Sequence, residues 1–325
     1  MELKADEINP EPNFSGRDFL TLADYNGEEL LYLLETAHVL KEKQKSGEVY
    51  QPLKGKTLGM IFEKSSTRTR VSFETGIYQL GGMGLFLSSN DIQMGRGEPI
   101  PDTAKVLSGY LDGIMIRTFS QKVVEELAEN ASIPVINGLT DMFHPCQVLA
   151  DFQTIQEIKG NLKNVKLTYI GDGNNVAHSL MLGAATIGMD ISIAAPVEYQ
   201  PDYAVIQKAK AIAAKKGSKV EVTEDPVRAA RNADAIYTDV WASMGQEEEQ
   251  MIREKQFSKF QVNEELFSNA KSDAIFMHCL PAHRGEEVTA EVIDGKQSVV
   301  FQQAENRLHA QKALMVVLMG SSLVS

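Results

Sequence analysis

The stretch "VKLTYIGDGNNVAHSLMLGAATIGMDISIAAP", residues 165–196, changes its pattern twice. It begins with a short apolar run that ends in glycines. A segment of helical length follows, and a second apolar run closes the stretch. Such a strand–helix–strand unit is typical of a parallel sheet that is covered by helices. We therefore predict an α/β domain with a parallel sheet in this half of the chain.

The same alternation of strand and helix continues on both sides of this unit. The predicted strands before it are "KTLGMIF" (56–62), "GLFLS" (84–88), "GIMIRT" (113–118) and "IPVING" (133–138). Those after it are "DAIYTDV" (234–240), "AIFMHCLP" (274–281) and, as a weaker candidate, "QSVVFQQ" (297–303). The fold class that follows is α/β, with two doubly wound parallel-sheet domains.

Helical patterns set the predicted domain limits. Residues 27–45 form an amphipathic pattern with lysines at its end, and a helical pattern starts at Ser66. The first domain should span residues 1–153 and the second residues 154–305, joined near "DFQTIQEIKG". The segment 306–325 belongs to a closing helix that no strand follows. We expect this helix to return to the first domain.

Composition excludes several classes of protein. The 325 residues carry a net charge of −12, from 32 Lys and Arg against 44 Asp and Glu. This balance disfavours binding to nucleic acid, which needs a basic face. The apolar runs are far shorter than the ~20 residues that span a bilayer. The acidic start "MELKADEINPEPN" is unlike a signal peptide. The two cysteines form no disulfide framework, so we expect a cytoplasmic protein without membrane or nucleic-acid partners.

The segment "EKSSTRTRVSFE", residues 63–74, predicts an anion site. A helix that opens with hydroxyl residues after a strand offers free N–H groups and the positive end of its dipole. Arg68 and Arg70 are two residues apart, so they cannot share one helix face. One can reach an anion while the other pairs with Glu74. The alternative is a Ser N-cap with solvated arginines.

Two further loops follow predicted strands. In "DMFHPCQ" (141–147), His144 precedes a proline that favours a helix start. The ends of parallel strands face the ligand crevice, which favours a site role over a structural one. "YIGDGNNV" (169–176) lacks the dinucleotide fingerprint because Val176 replaces the third glycine. A polar turn that offers Asn174 and Asn175 is the better interpretation.

Two loops in the second half carry groups that could act on an amine. Asp239 ends a strand in "TDVWASMGQEEEQ" (238–250), and a carboxylate there could hold an ammonium group. "MHCLPAHRG" (277–285) ends its strand at Cys279. Its Cys and His lack the spacing of a zinc site. No nucleophile elbow lies near Cys279, so a Cys-His hydrolase is disfavoured.

Taken together, the motifs resemble the aspartate/ornithine carbamoyltransferase family, over essentially the whole chain and in the same order. They are "SSTRTR", "IRTF", "HPCQ", "GDGNNVAHS", "DVWASMGQE", "HCLP" and "AENRLHAQKA". S-T-R-T-R and H-P-x-Q mark the superfamily, whereas S-M-G with H-C-L-P marks its ornithine branch. The resemblance implies transfer of a carbamoyl group from carbamoyl phosphate to the δ-amine of L-ornithine, which gives L-citrulline and phosphate without a metal or cofactor.

The resemblance also implies the site residues, and it makes residues 1–153 the carbamoyl-phosphate domain and 154–305 the ornithine domain. Carbamoyl phosphate would contact Ser66, Thr67, Arg68, Thr69, Gln93, Arg117, His144, Gln147, Cys279, Leu280 and Arg307. Ornithine would contact Asn175, Asp239, Ser243 and Met244. The catalytic groups would be Arg117, His144, Asp239 and Cys279. Gln93 would reach the site of a neighbouring subunit in a homotrimer or a multiple of trimers.

Three alternatives stay open from the sequence. A carbamoyltransferase could act on another amine, such as putrescine or an acylated ornithine, although S-M-G argues against this. A non-catalytic anion-binding protein could keep the same fold, but it would have no need for both Asp239 and Cys279. An NAD-dependent dehydrogenase is the most remote alternative because the glycine fingerprint fails.

Overall fold

A computed structural model describes residues 12–89, 91–94, 97–242 and 250–320. Within these residues the chain forms two separate parallel sheets with helices on both faces. This arrangement confirms the predicted fold class. None of the helices in the described ranges is long and apolar enough to cross a membrane.

The first sheet is formed by the first half of the chain. Its strands are β1 (Thr57–Phe62), β2 (Met83–Ser88), β3 (Gly113–Arg117) and β4 (Val135–Leu139). They are all parallel, in the order β2-β1-β3-β4. The chain moves from β1 to one side and then returns to the other side, so the strand order reverses between β1 and β3. Ligands bind at such a point, beyond the carboxyl ends of the strands.

The second sheet repeats this plan. Its strands are β5 (Lys166–Ile170), β6 (Asp190–Ala194), β7 (Val220–Thr223), β8 (Ala235–Thr238) and β9 (Ile275–His278), in the order β7-β6-β5-β8-β9. All of the pairs are parallel, and the order reverses between β5 and β8. The edge strand β7 was not predicted from the sequence, because its four residues "VEVT" are too short and too polar to stand out.

The helices connect and cover the two sheets. Those of the first half are α1 (Gly27–Lys45), α2 (Thr67–Gln79), α3 (Ile100–Ser108), α4 (Gln121–Asn130) and α5 (Pro145–Lys159). Those of the second half are α6 (Asn175–Ile187), α7 (Tyr203–Lys216), α8 (Pro226–Ala230), α9 (Gln250–Phe257), α10 (Glu264–Phe267), α11 (Ala290–Ile293) and α12 (Val300–Met319). Local sequence signals set several of the ends. For example, α1 starts in a capping box between Asn26 and Glu29.

The closing helix α12 packs against α5, α1 and α2, which are helices of the first half. This return to the first domain confirms the predicted packing. The weaker strand candidate at 297–303 was wrong, because α12 begins at Val300. Only Ser298 forms an isolated bridge to Phe276 of β9. The apolar pair Val299-Val300 therefore starts a buried helix, and a short apolar run does not distinguish this from a strand.

Helix α5 links the two halves without a break. The predicted division at residue 153 falls inside this helix and stays a prediction. One hydrophobic core continues through the junction, because Phe152 of α5, Leu180 of α6 and Leu314 of α12 belong to the same buried cluster. The carboxyl ends of both sheets are thereby held close to each other, and the candidate site lies between them.

Candidate active site

The predicted phosphate-binding residues lie where strands of the first sheet end. Ser66 caps α2 after β1, and its Oγ accepts from the Thr69 N–H at 3.2 Å. Arg117 is the last residue of β3, and His144 directly precedes α5. The β1–β3 reversal therefore brings together a helix N-terminus, a buried guanidinium and an imidazole.

The two arginines of α2 have different partners, as the two-residue spacing predicts. The exposed Arg70 pairs with Glu74 over 3.3 Å. Arg68 instead donates from an Nη to the main-chain oxygen of Leu280 at 2.7 Å. The first turn of α2 thus contacts the loop after β9, on the other side of the crevice.

Three guanidinium groups, those of Arg68, Arg117 and Arg307, lie close enough to repel one another. Burial, followed by the charges of Arg307 and Arg68, lowers the pKa of Arg117 to about 10. Burial is also the main cause of the lowered pKa of Arg307. Among the described residues, none of the three forms an ion pair with a carboxylate. Such a concentration of positive charge is suited to a multiply charged anion.

Two buried nitrogen atoms of this cluster lack a hydrogen-bond partner within the part of the chain that the structure describes. They are Nε of Arg117 and Nδ1 of His144. Buried polar groups are normally paired, so both nitrogens mark positions where a ligand could bind. Burial, followed by the charges of the three arginines, holds the pKa of His144 well below its ordinary value. The imidazole is therefore neutral at physiological pH.

Gln147 belongs to a buried network that the sequence did not predict. Its Oε1 accepts from Arg307 at 2.6 Å, and its Nε2 donates to Asp151 at 2.9 Å. The same Asp151 oxygen accepts from Gln303 Nε2 at 2.7 Å, and Gln303 Oε1 accepts from the main-chain N–H of His278 at 3.0 Å. A continuous hydrogen-bonded path therefore joins the arginine cluster to the end of β9.

The carboxylate of Asp239 lies just beyond β8 and is buried. One of its oxygens accepts from the thiol of Cys279 and from the Val240 N–H, each at 2.9 Å. The other accepts from Asn174 Nδ2 at 2.9 Å. Burial, with the negative charge of Asp239, raises the pKa of Cys279 well above its ordinary value. Cys279 is thus a thiol donor, and this state disfavours a thiolate nucleophile.

Some of the remaining predicted site residues lie in the described ranges, and others lie outside them. Asn175 donates to the Thr140 main-chain oxygen at 2.6 Å, so it links the first residue of α6 to the loop after β4. Gln93 lies beyond β2 with its side chain exposed. Ser243 and Met244 lie outside the described residues, as does the acidic run 247–249. The preceding Trp241 is buried against Phe257 and has a packing role.

Two family models match the chain. The first, "Aspartate/ornithine carbamoyltransferase, carbamoyl-P binding domain", matches residues 17–157. The second, "Aspartate/ornithine carbamoyltransferase, Asp/Orn binding domain", matches residues 163–318. The chain belongs to the aspartate/ornithine carbamoyltransferase family. This confirms the resemblance that the sequence motifs indicated.

Within this family, similar curated proteins carry the name "Ornithine carbamoyltransferase". One from Oceanobacillus iheyensis is 69% identical over 321 residues, which cover 98% of this chain and 100% of that protein. Another from Bacillus subtilis is 60% identical over 305 residues, with 94% of each chain covered. The solved ornithine carbamoyltransferase of Pyrococcus furiosus is 56% identical and has a TM-score of 0.93, covering 96% of this chain and 99% of that one.

Several buried polar residues next to the predicted site were missed by sequence reasoning. Asp151 follows Gln147 by four residues on α5, so helical spacing could have placed them together. Gln303 was hidden by the mistaken strand at 297–303. His278 and Glu287 are both buried and hydrogen-bonded, yet their pairing comes from a loop between them that leaves no periodic signal.

Proposed function

We propose that the chain transfers the carbamoyl group of carbamoyl phosphate to the δ-amine of L-ornithine, giving L-citrulline and phosphate. The observation that supports the proposal most directly is that a positively charged group of residues faces a negatively charged one. Three arginines without a carboxylate partner in the described ranges lie across the crevice from the Asp239–Cys279 pair. The first group suits a dianion and the second an amine. The names of the relatives support the same reaction.

The anionic substrate would bind at the start of α2. Carbamoyl phosphate brings roughly two negative charges, which call for several cationic and N–H donors at one point. The proposed contacts are Ser66, Thr67, Arg68, Thr69, Arg117, His144, Gln147 and Arg307. Gln147 Oε1 already accepts from Arg307, which leaves that amide fixed in orientation. It can therefore place the arginine for the phosphate.

Ornithine would bind on the side of the second sheet. Asp239 is suited to the α-ammonium group, and Asn175 with the Ser243-Met244 segment to the α-carboxylate and its surroundings. The δ-amine would then lie beside the Cys279 thiol and the Leu280 main-chain oxygen. Because Arg68 donates to this same oxygen, the two substrates would meet where α2 and the loop after β9 are already in contact.

The reaction needs a free amine. A lysine-like pKa of ~10.4 leaves about one δ-amine in a thousand uncharged near pH 7.4. The amine lone pair attacks the carbonyl carbon, and the C–N bond forms as the C–O bond to phosphate breaks. The amine loses one proton to phosphate or solvent, and phosphate leaves with the bonding electrons. Because phosphate is a capable leaving group, the step requires no covalent enzyme intermediate.

The protonation states of the site fit this chemistry. The carbonyl oxygen gains negative charge during attack, and aligned donors can stabilise it by several kcal/mol. Arg117 remains charged at neutral pH because its pKa of about 10 lies well above 7. His144 is neutral and would act as a hydrogen-bond donor without releasing a proton. Closure of the two sheets around the substrates would exclude water.

The proposed assembly is a homotrimer or a multiple of trimers. Strand β2 is the edge of the first sheet, and Met83, Leu85 and Phe86 on it are exposed. Tyr78 and Val71 of α2 extend this apolar surface. An exposed apolar edge strand favours coverage by another chain. Because Gln93 follows β2, a second copy that covers this edge could receive its side chain in the site.

Location and pathway are also proposals. Cys146 and Cys279 are both free thiols, which supports a cytoplasmic location. A relative from Pyrococcus furiosus is named "Ornithine carbamoyltransferase, anabolic". That name supports a role in arginine biosynthesis. We also propose the domain division at residue 153, with carbamoyl phosphate bound mainly by the first domain and ornithine by the second.

The test is a steady-state assay of the purified protein with carbamoyl phosphate and either ornithine or putrescine. We expect citrulline and phosphate in equal amounts, with activity that rises with pH through the neutral range. Putrescine lacks a carboxylate and would leave buried polar groups unpaired, which can reduce kcat/KM by ~10⁴. Similar values for both amines would overturn the ornithine assignment. Absence of carbamoyl transfer to either amine would overturn the reaction class.

A further inference from the structure

The segment that follows β9 is fixed by a histidine that no proposed substrate contact includes. The side chains of His278 and Glu287 are both fully buried. Nδ1 of His278 lies 2.9 Å from the main-chain N–H of Leu280, and Nε2 lies 3.1 Å from an oxygen of Glu287. The same Glu287 oxygen accepts from the His283 N–H at 2.7 Å.

These contacts define the tautomer of the imidazole. A main-chain N–H can only donate, so Nδ1 of His278 is the acceptor and carries no proton. The ring proton therefore lies on Nε2, from which it is donated to Glu287. Each ring nitrogen has one specific partner: Nδ1 holds the Leu280 main chain, and Nε2 is held by a buried carboxylate.

The main chain that Nδ1 holds has an unusual conformation. Leu280 has a φ of 57°, in the left-handed region that residues other than glycine rarely adopt. Such a conformation persists only where its surroundings determine it. Its N–H is bound by His278, and its oxygen accepts from Arg68 at 2.7 Å. The left-handed turn is therefore what directs this oxygen across the crevice.

We propose that His278 and Glu287 are positioning residues that hold the turn at Leu280, and through it the Cys279 thiol and the Leu280 oxygen, in the geometry that receives the attacking amine. This inference rests on the proposed function, because the amine is the proposed substrate. Neither residue needs to touch a substrate. The hydrogen bonds from Asp151 through Gln303 to the main-chain N–H of His278 also hold the residue that precedes this turn.

A metal-binding role for the same histidine is less well supported. Ligand atoms of Asp239, His278 and Cys279 lie within 4.8 Å of one another. Yet Nδ1 accepts from Leu280, Nε2 faces Glu287, and the thiol donates to Asp239. The three groups satisfy one another or their neighbours. Positioning of the turn accounts for all of these contacts.

Two substitutions of His278 each keep one of the two hydrogen bonds of its ring and remove the other. In His278→Asn, the amide oxygen stands where Nδ1 stood and can accept from the Leu280 N–H, but the side chain cannot reach Glu287. In His278→Gln, the amide nitrogen stands near the Nε2 position and can donate to Glu287, but the Leu280 N–H loses its acceptor. Both variants replace the imidazole by an amide, so each is the control for the other. Glu287→Gln keeps an acceptor of the same shape.

Kinetics with ornithine is the first measurement. We expect His278→Gln to lose about 100-fold in kcat, since displacement of a reacting group by about 1 Å has that effect. His278→Asn should stay within about tenfold of the unmodified protein, and Glu287→Gln closer still. The ornithine KM should change much less than kcat. Equal losses in His278→Asn and His278→Gln, in proportion to lowered thermal stability, would show a purely structural role and overturn the proposal.

The second measurement is independent of activity. Iodoacetamide alkylates accessible thiols, and Cys146 is fully buried, so Cys279 should react first. Release of the turn in His278→Gln should raise the alkylation rate of Cys279 by about tenfold, with His278→Asn near the original rate. If the original protein makes no citrulline, the proposed function fails, yet this comparison still reports on the turn. Equal rates in all variants would overturn the positioning role.

Discussion

The side chain of Arg68 donates to the main-chain oxygen of Leu280 over 2.7 Å, although 212 residues separate them in the chain. Arg68 lies in the first turn of α2, and Leu280 follows β9 of the second sheet. This hydrogen bond joins the group that would hold phosphate to the group that would face the amine. A change at Arg68 should therefore affect both substrates, whereas a change at Asp239 should affect mainly one.

Arg68→Gln should lower kcat/KM for carbamoyl phosphate, because it removes a charged group from a partly buried anion site. The activation free energy that corresponds to kcat/KM should rise by at least about 3 kcal/mol. Steady-state kinetics at saturating ornithine measures this. Arg228→Gln is the matched control. Arg228 is an exposed arginine that pairs with Glu221, so its removal should change the barrier by less than about 0.5 kcal/mol. Near-normal kinetics in Arg68→Gln would place the anion elsewhere.

Asp239→Asn should raise the ornithine KM and leave carbamoyl-phosphate binding largely unchanged, since the variant lacks the charge proposed to hold the α-ammonium group. A second effect follows at Cys279. Its pKa is raised first by burial and then by Asp239, so the variant should have a lower thiol pKa. The pH profile of iodoacetamide alkylation should shift downward. An unchanged ornithine KM would remove Asp239 from the ornithine site.

Two carboxyls of α5 should have opposite effects on stability as pH changes. Burial raises the pKa of Asp151 to about 7, from an unfolded value of ~3.9. The folded state thus keeps the proton of Asp151 over a pH range in which the unfolded state has already released it. The contribution of this group to the stability is present in full below pH ~3.9 and is lost as pH rises through about 7. Asp151→Asn should therefore gain thermal stability relative to the original protein as pH rises from about 4 to about 7. The gain is at most about 1.4 kcal/mol per pH unit inside that window and levels off above it.

Glu157 provides the control on the same helix. Although burial opposes it, hydrogen bonds from His38, Lys41 and Asn306 hold the pKa of Glu157 well below its ordinary value. Its contribution is present above the unfolded pKa of ~4.3 and is lost only as pH falls below that value. Glu157→Gln should thus show a constant stability difference between about pH 5 and 6, below the range in which the raised pKa of His38, which depends first on Glu157, adds its own pH dependence. Parallel curves for both variants between about pH 5 and 6 would contradict the raised pKa of Asp151.

Mixed oligomers test the shared site. Gln93→Ala and Arg117→Ala should each be nearly inactive alone. If Gln93 reaches the site of a neighbouring subunit, oligomers that contain both variants will have some sites with both Gln93 and Arg117. Part of the activity should then return. Differently tagged chains, purified through both tags, verify that the subunits have mixed. No recovery in verified mixed oligomers would place Gln93 in its own subunit's site or outside the site.

The sequence by itself determined the alternation of strands and helices, because strand and helix periodicities and glycine stops are local properties of the chain. It also predicted that the two arginines of α2 would not share a helix face and that one could pair with Glu74, and the Arg70–Glu74 pair confirms this pairing. Motif order indicated the family. The edge strand β7 and the helical start at Val300 were not determined locally, since short segments take the conformation that their neighbours impose.

Only the tertiary structure decided which polar groups meet. Sheet order brings the ends of β1, β3, β5, β8 and β9 to one crevice, and strand order is not encoded in any single segment. The contact of Arg68 with Leu280 and the path from Arg307 through Asp151 to His278 depend on the packing of α12 and α5. The pKa values of Arg117 and His144 follow from burial next to like charges. Burial is a property of the folded molecule, so the chemistry of this site arises only when both sheets are in place.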